Sequence, residues 1–182
     1  MELSELRGQL ERLHTASFGW ALSCCRQNHA EAEEVLQTVY LKILEGKARY
    51  EGHSKLQTWL FAVIRNTAIS ERRKAVLRSV GSVTPVEWKS DVVPQIELER
   101  SDRQRRFQEA LQRLTARQRE TLHLVFYQEL SLSEAAQVMN ISVGSARQHY
   151  DRGKKRLRGL LDQEAVDYGI GWGRKENPGT VL

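Results

Sequence analysis

The stretch from Leu114 to Arg158 most narrows what this chain of 182 residues can become. Three helix starts are written into it. Thr115 with Gln118, and Ser131 with Glu134, have the spacing at which a hydroxyl and a side chain three residues on satisfy each other's orphan backbone donors. Ser142 is placed to cap a third helix. Between the last two lies the short turn Met139-Asn140-Ile141. The pattern is a helix followed by a helix-turn-helix. Its last helix carries Arg147, Arg152, Lys154, Lys155, Arg156 and Arg158 against one acid, Asp151. A capped helix entered from a tight turn and loaded with cations suits a DNA major groove. The alternative for such a charge run is a solvated helix face.

Composition sharpens that contrast. The whole chain has a net charge of +5, and the six cations and one anion from Arg147 to Arg158 alone sum to the same value. No apolar run approaches the ~20 residues that span a bilayer. The N-terminus lacks the basic start and apolar core of a signal peptide, so a cytoplasmic location is expected. Cys24 and Cys25 are adjacent and far from other metal-ligand types. They read as small core residues, with a redox role as the alternative. Neither a metal site nor a cofactor site is expected. His14, His29, His53, His123 and His149 are scattered, with no nucleophile–base pair and no phosphate-binding glycine loop. Enzymatic chemistry is therefore not expected.

All strong periodicity is helical, and the expected class is all-α. A first helix runs from Leu3 to about Cys25, with Leu6, Leu10, Leu13, Phe18 and Leu22 repeating. Asn28 and Glu31 cap a second, whose stripe is Val35, Leu36, Val39, Tyr40, Ile43 and Leu44; Gly46 ends it. After a polar loop, Ser54 opens a third, with Leu56, Trp59, Leu60, Val63 and Ile64 on one side. The period is lost after Lys74, where Pro85, Pro94 and Gly81 mark a linker. Two small helical domains joined by a flexible linker are expected. Their bounds are 8–75 and 96–162, with the linker at 76–95 and a tail of unassigned role at 163–182. Each core is of marginal size, so contacts with partners are expected to stabilise both.

These residues resemble a known family. The helix-turn-helix resembles the C-terminal domain of sigma-70 transcription initiation factors. Ala32 to Leu44 and Ser54 to Lys74 resemble the two signature segments of the sigma N-terminal domain. The order and the short linker are those of the extracytoplasmic-function subgroup, and the resemblance covers about residues 8–160. It implies a reversible subunit of bacterial RNA polymerase that selects promoters, reading the −35 element as duplex and the −10 element as it melts. The competing reading is a polymerase-independent helix-turn-helix regulator, which needs no −10 segment and usually dimerises to match a palindrome.

The resemblance also implies residue roles. Glu31, Glu34, Gln37 and Lys42 would dock on core polymerase, at a coiled coil of its largest subunit. Glu34 and Gln37 match the usual aspartate and glutamine, while Thr38 stands where glutamate is frequent. The −10 element falls to Tyr50, His53, Ser54, Arg65, Asn66, Ser70 and Arg73. A flipped-out base would enter the loop at Tyr50, Gly52, His53 and Ser54. The −35 element falls to Ser142, Ser145, Arg147, Gln148, Asp151, Arg152 and Lys155, with Val143, Ala146, Tyr150 and Leu157 turned inward. Asp151 is either a specificity element or a surface acid. Implied partners are core RNA polymerase, through its coiled coil and flap region, promoter DNA, and an anti-sigma factor. No direct membrane insertion is implied.

Overall fold

The computed structural model describes residues 3–80 and 102–167, and these are all helical or loop. In chain order the helices are α1 (Leu3–Cys24), α2 (His29–Leu44), α3 (Leu56–Val80), α4 (Asp102–Gln112), α5 (Ala116–Phe126), α6 (Leu132–Met139) and α7 (Val143–Asp167). The first three pack mutually, and α7 lies against α4, α5 and α6.

The expected caps form. Asn28 accepts from the Glu31 amide, and both reciprocal capping boxes, Thr115/Gln118 and Ser131/Glu134, are closed. Ser142 accepts from the Ser145 amide at 3.1 Å. The tight turn of the helix-turn-helix is made by Asn140, whose φ of 51° puts it in the left-handed region that Asn tolerates. Ser54 does not start α3. Its hydroxyl turns to the Lys55 carbonyl, and the first helical bond runs from Trp59 N to Lys55 O.

Two boundaries differ from the sequence expectation. Helix α3 continues through residues 76–80, because nothing before Gly81 breaks it once the helix is nucleated. Helix α7 likewise passes residue 162 and ends at Asp167. The rest of the expected linker, the start of the pattern at 96–101 and the tail from 168 lie outside the described residues.

The two helical modules are docked on one another. Helix α6 packs against α3, and α5 touches α1. Leu124, Leu130, Ala135, Val138 and Met139 belong to the same buried cluster as Trp20, Leu60, Phe61, Ile64 and Ala68. A small three-helix module buries too little apolar surface to be robust by itself. Sharing one cluster across the modules removes additional apolar area from water. Trp20 sits at its centre, fully buried, with its indole N–H donating to the Phe61 carbonyl at 3.0 Å.

Candidate nucleic-acid interface

Helix α7 is held by its inward residues. Ala146 and Gly153 are buried, and Tyr150 stacks on Phe126 at 5.7 Å between ring centroids. Gly153 is the point of closest approach to α5: a Cβ there would lie 3.2 Å from Leu122 and 3.3 Å from Gln118. The sequence pattern gave no reason to single it out beyond a helical glycine. Val143 departs from expectation. It is 45% exposed at the first position of α7.

The opposite side of α7 carries the residues expected to read DNA. Arg147, Gln148, Asp151, Arg152 and Lys155 are all exposed. At roughly 100° per residue they span an arc of about 140° on the helix. Arg147 and Gln148 are nearest the N-terminal end, where base edges are reached. An Arg there suits the O6/N7 edge of guanine and a Gln the N6/N7 edge of adenine. Arg152 and Lys155 lie one and two turns on, at positions that suit phosphates, which fix register without reading sequence. Lys154 instead lies over the Tyr150 ring at 5.0 Å. Ser142 and Ser145 are engaged with one another at 2.9 Å, so their first task is to shape the helix start.

Helix α3 presents a second face. Asn66 and Arg73 are exposed and Ser70 is half-buried one turn from Asn66, which aligns the three along one side. In the preceding loop Tyr50 packs on Trp59 at 5.4 Å and donates to the Ser54 carbonyl. His53 is exposed and 3.2 Å from Glu51, so it lies beside the Tyr50/Ser54 turn rather than inside it. Gly52 adopts a φ of 79°, which a side chain resists, and it sets the turn that carries His53 outward. Arg65 corrects the expectation. It lies off the outward face, its side chain only 9% exposed, and it pairs with Glu120 of α5 at 3.0 Å. Arg72 donates to the Cys24 carbonyl at the end of α1.

Helix α2 supplies the third face. Glu34 and Gln37 are exposed one turn apart, followed by Leu41 and Leu44, which are 57% and 59% exposed. The two leucines, three residues apart, add a small apolar strip to this polar face. Glu31 and Lys42 are less free. Glu31 serves the Asn28 cap, and partial burial raises its carboxyl above the usual range. Lys42 reaches Thr67 on α3 at 3.1 Å. The two cysteines are buried free thiols, and burial above all pushes them upward, Cys25 to about 11. That keeps them protonated and unreactive. Among the described residues no group of three or more His, Cys, Asp or Glu is gathered as a metal set, and no helix is long and apolar enough to cross a membrane.

A set of contacts between the modules has no counterpart in the sequence expectation. Besides Arg65–Glu120, Lys55 meets Glu134 at 2.8 Å, so the capping-box carboxylate of α6 is tied to the start of α3. Gln57 donates to the Gln128 carbonyl, and the Gln128 amide donates to the Ala16 carbonyl and to His123. Hydrogen bonds from Lys55 and Ser131 hold the Glu134 carboxyl down to about 2. The hydrogen bonds among these that cross between the modules join residues 55 to 112 apart in sequence, too far for any local periodicity to signal, whereas Gln128–His123 is a local contact that orients the Gln128 amide.

Comparison with known proteins finds a family match for each of the two helical modules. Residues 10–77 match the family described as Sigma-70 region 2, and residues 110–159 match Sigma-70, region 4. The ECF RNA polymerase sigma factor SigX of Bacillus subtilis is 28% identical over 160 residues, covering 83% of this chain and 82% of that protein. The ECF RNA polymerase sigma factor EcfG of Rhodopseudomonas palustris is 30% identical over 146 residues, covering 78% of each. Among solved structures, the sigma factor RpoE in complex with the anti-sigma factor NepR from Bartonella quintana superposes with a TM-score of 0.69 at 25% identity, over 88% of this chain and 98% of that one. CnrH in complex with the cytosolic domain of CnrY shares the fold, with a TM-score of 0.57 at 18% identity, over 86% of this chain and 87% of that one.

Proposed function

The chain belongs to the sigma-70 family of RNA polymerase sigma factors, in its extracytoplasmic-function group, and from that membership we infer that it acts as an alternative sigma factor. It binds core bacterial RNA polymerase and directs it to a class of promoters. The observation that carries the reading is the pairing of two separate nucleic-acid faces, on α3 and α7, with a third, leucine-bearing face on α2. A simple repressor uses a single helix-turn-helix and a dimer; it has no use for the other two faces.

The roles divide by chemistry. Arg147, Gln148 and Asp151 read base edges of the −35 duplex, and Arg152 and Lys155 hold its backbone. Asn66, Ser70 and Arg73 line the path of the −10 strand. Extracting a base costs a few kcal/mol of stacking, which contacts at the Tyr50, His53 and Ser54 loop must replace. Glu34 and Gln37, with Leu41 and Leu44, dock on the coiled coil of the largest polymerase subunit, and the C-terminal module meets the flap region. The chain supplies binding and orientation, and the polymerase supplies the phosphodiester chemistry; the chain is not an enzyme. It works in the cytoplasm, where its polymerase is, and an anti-sigma factor restrains it, as the complexes of its structural neighbours suggest.

The test is transcription in vitro from a pool of randomised promoter fragments with sigma-free core polymerase. Chain-dependent transcripts sharing two short elements at a fixed spacing are expected. Absence of chain-dependent transcripts would contradict the reading.

A further inference from the structure

We propose that Arg26, Arg72 and Arg119 form a binding site for the phosphate dianion of a small molecule, where the end of α1 meets α3 and α5. The site goes beyond the sigma-factor reading and does not depend on it.

Three chain segments converge at this point. Arg72 of α3 donates to the Cys24 carbonyl at the end of α1, and Arg26 follows in the turn just beyond. Arg65 lies about two turns, or roughly 10 Å, back along the same side of α3. It holds Glu120 of α5 at 3.0 Å, and Arg119 is the neighbour of Glu120 in that helix. Helix α1 packs against both α3 and α5. Arg119 is half-buried. Burial, with Arg26 and Arg72 close by, holds its guanidinium below the usual range.

The charges gathered here do not cancel. Arg26, Arg65, Arg72 and Arg119 stand against two carboxylates, Glu31 and Glu120. Arg65 occupies Glu120, and Glu31 is engaged by the Asn28 amide. Among the described residues, Arg26, Arg72 and Arg119 form no ion pair. The Cys24 and Cys25 thiols stay protonated, since burial above all raises both, and they add no negative charge. A helix C-terminus favours one cation, which accounts for Arg72 on the Cys24 carbonyl. It does not account for Arg26 and Arg119 beside it. Like charges held together in partly dry surroundings repel, and a dianion offsets the excess.

Phosphate suits this set better than a carboxylate. A guanidinium presents a planar fork of donors, and the bond to Cys24 leaves most of the Arg72 fork free. The tetrahedral oxygens of a phosphate accept such forks from several directions, whereas a carboxylate is planar and carries one charge. The site also stands apart from the residues assigned to the −10 strand. Arg73 lies within about 20° of Asn66 around α3, and Arg72 lies about 120° from it. A ligand held at one point by three arginines is a small phosphorylated molecule rather than an extended strand.

The test follows phosphorus NMR relaxation of inorganic phosphate added to the full chain at fixed ionic strength. It is repeated with Arg26→Gln, Arg119→Gln and, as a control, Arg12→Gln at an exposed position of α1. Gln27 already adopts a φ of 69° in the same turn, so Arg26→Gln keeps the backbone as it is. Circular dichroism checks that each variant is folded. Saturable binding is expected for the native chain and for Arg12→Gln, and binding about tenfold weaker or more for Arg26→Gln and Arg119→Gln. Arg26→Lys keeps the charge, loses the fork and should fall between. Phosphate should raise the thermal midpoint of the native chain more than that of Arg26→Gln. Relaxation that does not saturate, displacement by an equal concentration of chloride, or equal weakening by Arg12→Gln and the two site variants would each overturn the site. Displacement of phosphate by a single-stranded oligonucleotide, weakened in step by Arg26→Gln and Arg119→Gln, would overturn the small-molecule assignment and make the cluster a nucleic-acid backbone contact.

Discussion

The imidazole of His123 lies 5.4 Å from the indole of Trp20, joining the two modules through a ring contact, and Tyr127 stacks on the same imidazole at 5.3 Å. The Gln128 amide points at its Nε2 from 3.1 Å, a donor that a neutral ring can accept. Burial holds His123 down to about 4. The unfolded chain therefore takes up a proton near pH 6.5 that the folded chain refuses until about pH 4. Stability is complete above pH 6.5 and falls as pH drops through that window, by about 3 kcal/mol at its acid end. Urea unfolding of the native chain and of His123→Phe should show this. The substitution keeps the ring stack and should flatten the decline between pH 6.5 and 4; parallel declines would assign it to other groups.

Gly153 is required by Leu122. A leucine side chain at that position must displace buried atoms that a bare Cβ would already meet at 3.2 Å. The gain in helix propensity is about 1 kcal/mol. Overpacking of about 1–3 kcal/mol outweighs it and tilts α7 off α5. Gly153→Leu should lower the thermal midpoint and weaken −35 duplex binding together. An unchanged midpoint would mean that α5 and α7 separate at little cost.

Replacing Arg147 by Ala should cost about 1–3 kcal/mol at one position of the −35 element and relax discrimination there. Competition binding with single-base variants measures it. Equal loss on every sequence would reassign Arg147 to a phosphate.

Glu34 and Gln37 are exposed neighbours on α2 and take no part in its packing. Changing both to Ala should leave helicity and unfolding midpoint in place while weakening core polymerase binding at least tenfold, on the order of 1.4 kcal/mol or more. Unchanged affinity would move the docking surface elsewhere, with Leu41 and Leu44 the next residues to change.

The sequence carried the local structure well. Each cap at Asn28, Thr115, Ser131 and Ser142 depends on side chains within three residues, so spacing alone exposes it. The outward position of Arg147, Gln148 and Asp151 follows from helical period once the inward residues are known. What spacing does not carry is which apolar face meets which. Arg65 looked free because its partner, Glu120, is remote in sequence. The ring contact of Trp20 with His123 joins residues just as remote, so no local pattern signals it. Ala135, Val138 and Met139 of α6 are buried in one cluster with residues of α3, and no amphipathic pattern distinguishes that burial from burial within their own module.

The central claim is tested most directly by titrating the purified full chain against sigma-free core RNA polymerase and following fluorescence anisotropy. Saturable binding, abolished by excess of another sigma factor, is the predicted result. Anisotropy that stays flat across the titration, with the chain folded and able to bind DNA through α7, would contradict the account and make this a DNA-binding protein independent of polymerase.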